Sequence, residues 1–391
     1  MIKISSRKNI LYLLLLFAYY YLRKIDGIII SKVLDFHSSF IFTFLMAFGE
    51  LFGGLAIYLY QKFLFINNKS SSKRFLIKII VKKKKMNRAD GWIKIIILIF
   101  FASFFDFYES IILNYIIQGL AEISPTIDQR LCFIITISSS LICTYALRLK
   151  IGRHQVFALI GMGISSGIVI ILEIIFKIKG KVLSKLVIAY LLVICHLVFV
   201  TFTDVIEKYL IEYDFIDAFI LLGSEGAFEI VLCSIYSCVE NSFKDIKNYH
   251  NNEKNKKYFP LLIFLLILYF AFSAGLNVYK ILCNVLYSPM AKSLPAYFLN
   301  PIFITYYFIF ENDFTVGKKR NYIYFIINVI ISIFIDLFAF IYTNEFFILY
   351  CFDLEKETHF GISERSIKTN EMIEMDLQII WNNDENLESD D

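Results

Sequence analysis

The chain has 391 residues, is 58% hydrophobic and contains only 16 glycines and 5 prolines. Its mean hydropathy of +0.63 and its apolar fraction argue against a soluble globular domain, and its composition argues against a fibrous chain. The formal net charge of +4 hides a segregation, because residues 62–88 carry ten Lys/Arg and no acid, while residues 353–391 carry twelve Asp/Glu and three Lys/Arg. The composition therefore predicts a polytopic membrane protein.

Ten segments are long and apolar enough to be transmembrane helices, which need about 20 residues. Two prolines in the ninth, Pro295 and Pro301, predict a kink or a broken turn. The predicted spans are 9–31, 39–60, 92–117, 129–147, 154–176, 186–206, 215–238, 258–281, 286–310 and 322–350.

The basic loops indicate how the chain is oriented, since Lys and Arg accumulate on the cytoplasmic side. The loops 62–88 and 148–154 both lie there if the N-terminus is cytoplasmic, although the basic loops near 180 and 317–320 favour the reverse. We expect both termini in the cytoplasm. The predicted regions are a cytoplasmic N-terminus 1–8, a first five-helix half 9–176 with a basic loop 61–91, a second half 177–350, and an acidic, mostly disordered cytoplasmic tail 351–391.

Five stretches in order resemble one family. They are "FHSSFIFTFLMAFGE" (36–50), the region 123–165 with its Ser-rich turn and basic loop, "VIEKYLIEYDFIDAFILLGSEG" (205–226), "FSAGLNVYK" (272–280) and the acidic residue Glu311. The chain is similar over about residues 9–350 to solute carrier family 35 F-type proteins of the drug/metabolite transporter superfamily. The resemblance implies ten helices in two inverted five-helix repeats, a central cavity and alternating access. The chain departs from the family after Gln129, where the usual Gln-x-Leu-Arg-Gly is absent, and at Lys292, where the family has an acid.

Ionisable residues at membrane depth usually face the bundle interior and mark a solute path or a proton relay. Glu173, Glu229 and Lys292 lie near predicted span ends, where we expect them to reach the interface or to bond to a neighbouring helix. We also expect the Glu207-Lys208 pair at the cytoplasmic end of its helix. From motif positions and their polar neighbours, the predicted substrate-binding residues are Glu50, Asp106, Asn114, Tyr115, Gln129, Glu225, Asn277 and Lys280.

The sequence does not predict catalysis or a bound cofactor. It has no Gly-x-Ser-x-Gly, His-Glu-x-x-His, P-loop or dinucleotide motif. Its seven cysteines stand singly, without zinc spacing, so we expect no metal site and no disulfide framework. His196, beside Cys195, is the one histidine deep in a predicted span.

Three functions fit the sequence. The first is a secondary carrier of a small organic solute (a metabolite, a drug-like molecule or a nucleotide sugar), coupled to protons or exchanging one solute for another. The second is a membrane scaffold or receptor that works through the acidic tail, and the third is an intramembrane enzyme that uses His196 or the buried acids. For the carrier we expect membrane lipid and no nucleic acid as partners, with a homodimer left open, in an endomembrane (Golgi, lysosome or vacuole) or the plasma membrane.

Overall fold

The structure is a computed structural model. It describes residues 7–67, 89–120, 133–146, 152–177, 183–214, 216–240, 244–286, 301–302, 304–306, 308–309, 315–316 and 319–344. The predictions for residues 68–88, for most of the ninth span and for the acidic tail lie outside these ranges. Gln129 lies outside them as well.

The described chain is helical apart from one small antiparallel hairpin. Its helices are α1 (Arg7–Ile28, continued by a π-helical turn Ile29–Val33), α2 (Ser39–Asn67), α3 (Ala89–Leu120), α4 (Phe133–Ala146), α5 (Arg153–Lys177), α6 (Leu183–Glu212), α7 (Ala218–Glu240), α8 (Lys244–Asn251), α9 (Glu253–Lys256), α10 (Phe259–Leu286) and α11 (Tyr322–Asn344). The hairpin pairs β1 (Thr315–Val316) with β2 (Lys319–Arg320). Each predicted span other than 286–310 overlaps one of these helices over most of its length.

The long helices have the polarity of a membrane protein. In α5, the exposed face carries Phe157, Ile160, Ile164 and Ile171, whereas Ser166 is buried. An apolar surface around a partly polar interior suits hydrocarbon, because lipid replaces water outside. Within the described residues, six helical segments are long and apolar enough to cross a membrane: Phe40–Phe63, Gly91–Ile111, Arg153–Leu172, Ala218–Ser237, Phe259–Val285 and Tyr322–Tyr342. The prediction of an all-α, multi-pass membrane protein is confirmed.

A few helix pairs build the bundle. Helix α7 packs on α2 and α3, α10 packs on α1 and α2, α6 packs on α3 and α4, and α5 packs on α11. At the centre, α2 and α7 approach closely because of glycine. A Cβ on Gly226 of α7 would lie 2.7 Å from the carbonyl oxygen of Ala47 and 2.9 Å from Cβ of Glu50, which are both in α2. Only a residue without a side chain allows this approach.

Two acidic or polar stretches have local structural roles. Asp217, which falls in the seventh predicted span, accepts hydrogen bonds from the backbone N–H groups of Phe219 (3.0 Å) and Ile220 (3.3 Å). It therefore caps the N-terminus of α7. The connection between α7 and α10 contains the short helices α8 and α9. Tyr249 of α8 is buried and packs edge-on against Phe36, with ring centroids 5.5 Å apart.

Candidate functional site

An acidic cavity lies where five helices meet. Each helix contributes residues at spacings that place them on one face, such as Asp106 and Glu109 of α3 or Glu225 and Glu229 of α7. The space enclosed between them measures about 30 Å³, which holds a water molecule or a small ion. The lining residues are Glu50, Asp106, Glu109, Val200, Thr203, Asp204, Glu207, Leu222, Glu225, Glu229, Asn277, Lys280 and Ile281.

The charge of this lining is strongly one-sided. Among the described residues, it includes seven carboxyl groups and one ammonium group, that of Lys280. Glu50, Glu225 and Glu229 are buried, with exposed fractions of 8%, 3% and 2%. A buried charge is costly unless it is paired and hydrogen-bonded. Helix packing alone therefore does not explain so many acidic side chains in one buried cavity.

Three of the carboxyl groups converge. One carboxyl oxygen from each of Glu50, Asp106 and Glu229 lies within 4.8 Å of the other two. These residues come from α2, α3 and α7, so the tertiary packing brings them together. Like charges at this distance repel strongly in a medium of low dielectric constant. A proton or a cation shared among them would relieve that repulsion.

Asn277 of α10 connects this cluster to a fourth helix. Its side chain is 2% exposed, and its Nδ2 donates a hydrogen bond of 2.7 Å to Oε1 of Glu50. Its amide oxygen Oδ1 is buried and has no hydrogen-bond partner among the described residues. Asn277 therefore offers the cavity an acceptor oxygen.

A polar bridge joins α6 to α10 beside the cavity. Asn284 donates from Nδ2 to Oε2 of Glu207 (2.8 Å) and to the carbonyl oxygen of Asp204 (3.2 Å). Lys208 donates to the carbonyl oxygen of Asn284 at 2.8 Å and forms an ion pair of 2.8 Å with Glu212. We call the contacts of Asn284 with Asp204, Glu207 and Lys208 the Asn284 bridge.

The structure brings five of the eight predicted site residues to one cavity, namely Glu50, Asp106, Glu225, Asn277 and Lys280. Asn114 and Tyr115 belong to α3, but their side chains are outside the described part of the structure. Gln129, as noted above, is also outside it.

Sequence reasoning missed Glu109, Asp204, Glu207 and Glu229 as cavity residues. Glu229 was expected near a span end, but it lies near the middle of α7, which runs from Ala218 to Glu240. The signal that identifies it is its spacing of four from Glu225 on the same helical face. Glu207 lies near the C-terminal end of α6, which ends at Glu212, and it also lines the cavity.

The histidine considered for catalysis lies elsewhere. His196 is buried at 4% exposure and is not among the residues that line the acidic cavity. The acidic cavity and His196 are therefore separate features of the described structure.

Comparison with protein-family models and with curated proteins gives no match for this chain.

Proposed function

We propose that this protein is a secondary transporter that moves a small organic solute across a membrane by alternating access. The observation that carries the proposal is the acidic cavity, which α2 and α3 of the predicted first half form together with α6, α7 and α10 of the predicted second half. Sites at the interface of two helical repeats near the middle of the bilayer are typical of secondary transporters. The resemblance to solute carrier family 35 F-type proteins points to the same class.

The packing pattern supports two inverted five-helix halves. An inverted repeat would relate α1 to α6, α2 to α7, α3 to α10 and α5 to α11. Under that exchange the pair α3–α6 becomes α10–α1, and the pair α3–α7 becomes α10–α2. All four pairs are packed together in the structure. The pairs α2–α7 and α5–α11 map onto themselves. Inverted repeats related by a twofold axis in the membrane plane have this property. An odd number of spans in each half also gives the second half the inverted orientation.

The size of the cavity supports alternating access. A site for a drug-sized ligand commonly measures about 300–1,000 Å³, whereas the acidic cavity encloses about 30 Å³. An organic solute therefore enters only when helices separate, so we assign this structure to a closed conformation. The Asn284 bridge joins two of the helices that form the cavity, and we expect it to break on one side of the cycle. The surplus of carboxyl groups favours a cationic or neutral solute over a polyanionic one.

The test is counterflow in proteoliposomes loaded with a panel of cationic metabolites, amino acids, peptides and nucleotide sugars, with and without a pH gradient. We expect saturable exchange of at least one cationic or neutral solute. The matched control is Asp336→Asn, because Asp336 is a buried acid of α11 that does not line the cavity.

Saturable flux that survives the double change Asp106→Asn and Glu225→Gln would contradict the proposed path. No exchange of any panel member by folded protein would contradict the carrier and favour the scaffold function. Removal of residues 353–391 then gives a second comparison, because a carrier keeps its flux without the tail whereas a scaffold loses its partner.

A further inference from the structure

The cluster of Glu50, Asp106 and Glu229 has the geometry of a cation site. Its three oxygens lie within 4.8 Å of one another. Three atoms so spaced share a point roughly 2.8 Å or less from each, close to the 2.3–2.6 Å of Ca²⁺–oxygen bonds. Small side-chain rotations would close that difference. The shorter bonds of Mg²⁺, about 2.0–2.1 Å, require a more compact set of ligands.

Asn277 is an independent observation that points to the same ligand. Because its Nδ2 donates to Glu50, its Oδ1 is the free acceptor of the amide, and this buried atom has no hydrogen-bond partner within the described ranges. A buried acceptor beside a cluster of three carboxyl groups fits a ligand that supplies positive charge. Side-chain carbonyl and carboxylate oxygens are the ligands that Ca²⁺ prefers.

The size and the charge of the cavity further restrict which ligand can bind. The enclosed space of about 30 Å³ has room for one ion and not for an organic cation. Lys280 lines the same cavity, and its ammonium group opposes a bound cation by direct repulsion. A divalent ion offsets the three converging carboxylates better than a monovalent one.

We propose that Glu50, Asp106, Glu229 and the amide oxygen of Asn277 bind one divalent cation of the size of Ca²⁺. This inference rests on the proposed function in one respect, because it takes the cation to be the ion whose binding is coupled to transport by the carrier. The residues come from α2, α3, α7 and α10, so a bound ion holds both halves of the bundle together in the closed conformation. Release of the ion then frees the helices to separate.

The experiment is equilibrium binding of ⁴⁵Ca²⁺ to the full-length protein in lipid nanodiscs, without any solute. We expect one saturable site per chain, with Mg²⁺ as a poor competitor. Asp106→Asn and Glu229→Gln each weaken binding by about tenfold or more, the scale of lost metal-site contacts. Asn277→Leu also weakens binding, while Asp336→Asn leaves it unchanged.

A further variant distinguishes loss of the cation site from loss of the folded protein. Lys280→Met removes the opposing charge and should bind ⁴⁵Ca²⁺ more tightly than the wild type, a gain that an unfolded protein does not produce. Each variant is also compared with the wild type by size-exclusion chromatography and by its melting temperature without Ca²⁺.

The proposal is overturned if no saturable site exists, or if Asp106→Asn and Glu229→Gln bind Ca²⁺ as the wild type does, which would place the ion elsewhere, for example on the acidic tail. Flux driven by a pH gradient without Ca²⁺ binding would assign protons to the cluster and overturn the cation site while keeping the carrier. Ca²⁺ binding that is lost in these variants, together with no solute flux, would keep the site and remove the carrier.

Discussion

The central interface between α2 and α7 differs from the flanking interface between α5 and α11, although each of these helix pairs carries a buried acid and a closely packed glycine. In the central interface, Glu50 faces a cavity with carboxyl groups from three other helices, and Gly226 lies against backbone. In the flanking pair, Asp336 of α11 is 8% exposed and does not line that cavity. Gly161 there lies against the aromatic ring of Phe338.

The contrast separates a site from ordinary packing. A single acid between helices is accommodated when it stays neutral, since only the charged form carries a large cost of burial. A convergent set of acids has no such simple solution, because protons or cations must be distributed among its members. Backbone contact at Gly226 fixes the distance between α2 and α7, whereas a ring such as Phe338 can rotate. The central interface therefore combines close backbone contact with a concentration of acidic groups that helix packing alone does not need.

The largest effect that tests this contrast is on transport. The double variant Asp106→Asn and Glu225→Gln should lower solute counterflow by more than about tenfold, a loss of at least ~1.4 kcal/mol in the interactions that support transport. Asp336→Asn should change the flux by less than about twofold, because it has no part in the cavity. Initial rates of exchange in proteoliposomes, normalised to inserted protein, make this comparison. Equal losses in both variants would show that buried acids act only through the stability of the bundle.

Much of the fold follows from the sequence, because runs of apolar residues directly predict membrane helices. Glu50, Asp106 and Glu225 were also identifiable, since an acid in such a run has few structural uses. The convergence of Glu50, Asp106 and Glu229 was not predictable, because it depends on how three helices rotate against one another. Glu229 was misjudged as a residue near a span end, although its spacing of four from Glu225 places both on one helical face. The partner of Asn277 is set by tertiary packing alone.

A smaller effect concerns stability, and it compares the two glycines. Gly226→Ala places a methyl group against the backbone of α2 and should lower the free energy of unfolding by about 2–3 kcal/mol, as overpacking does. The nearest atoms to the methyl group of Gly161→Ala belong to the ring of Phe338, whose rotation relieves the clash, so the cost should stay below about 1 kcal/mol, less than overpacking against backbone. Unfolding in mixed detergent micelles, followed by tryptophan fluorescence or circular dichroism, measures both.

A third glycine supplies the control for this comparison. Among the described residues, and apart from the backbone of its own helix, a Cβ added to Gly167 of α5 meets no atom within 4 Å. Gly167→Ala should therefore be neutral or stabilise the helix by up to about 1 kcal/mol. If Gly226→Ala were as stable as Gly167→Ala, α2 and α7 would have to be further apart than the structure places them.

The smallest effects come from two single hydrogen bonds between helices, one beside the cavity and one away from it. Asn284→Ala removes the donor at 2.8 Å from Oε2 of Glu207, and Tyr342→Phe removes a neutral bond of 2.6 Å between Tyr342 and Ser140 of α4. Hydrogen bonds between membrane helices average about 0.6 kcal/mol and reach about 1.7 kcal/mol. We expect Asn284→Ala near the upper value, because bonds to charged groups are the stronger ones, and Tyr342→Phe near the average.

These two variants should also differ in transport. Since the side chain of Asn284 joins α10 to α6 beside the cavity, its removal should shift the balance between conformations and change the maximal rate of exchange. Tyr342→Phe acts on the flank and should leave that rate unchanged at the same protein stability. If both variants reduced exchange only in proportion to their loss of folded protein, the Asn284 bridge would be a packing contact like the one between Ser140 and Tyr342.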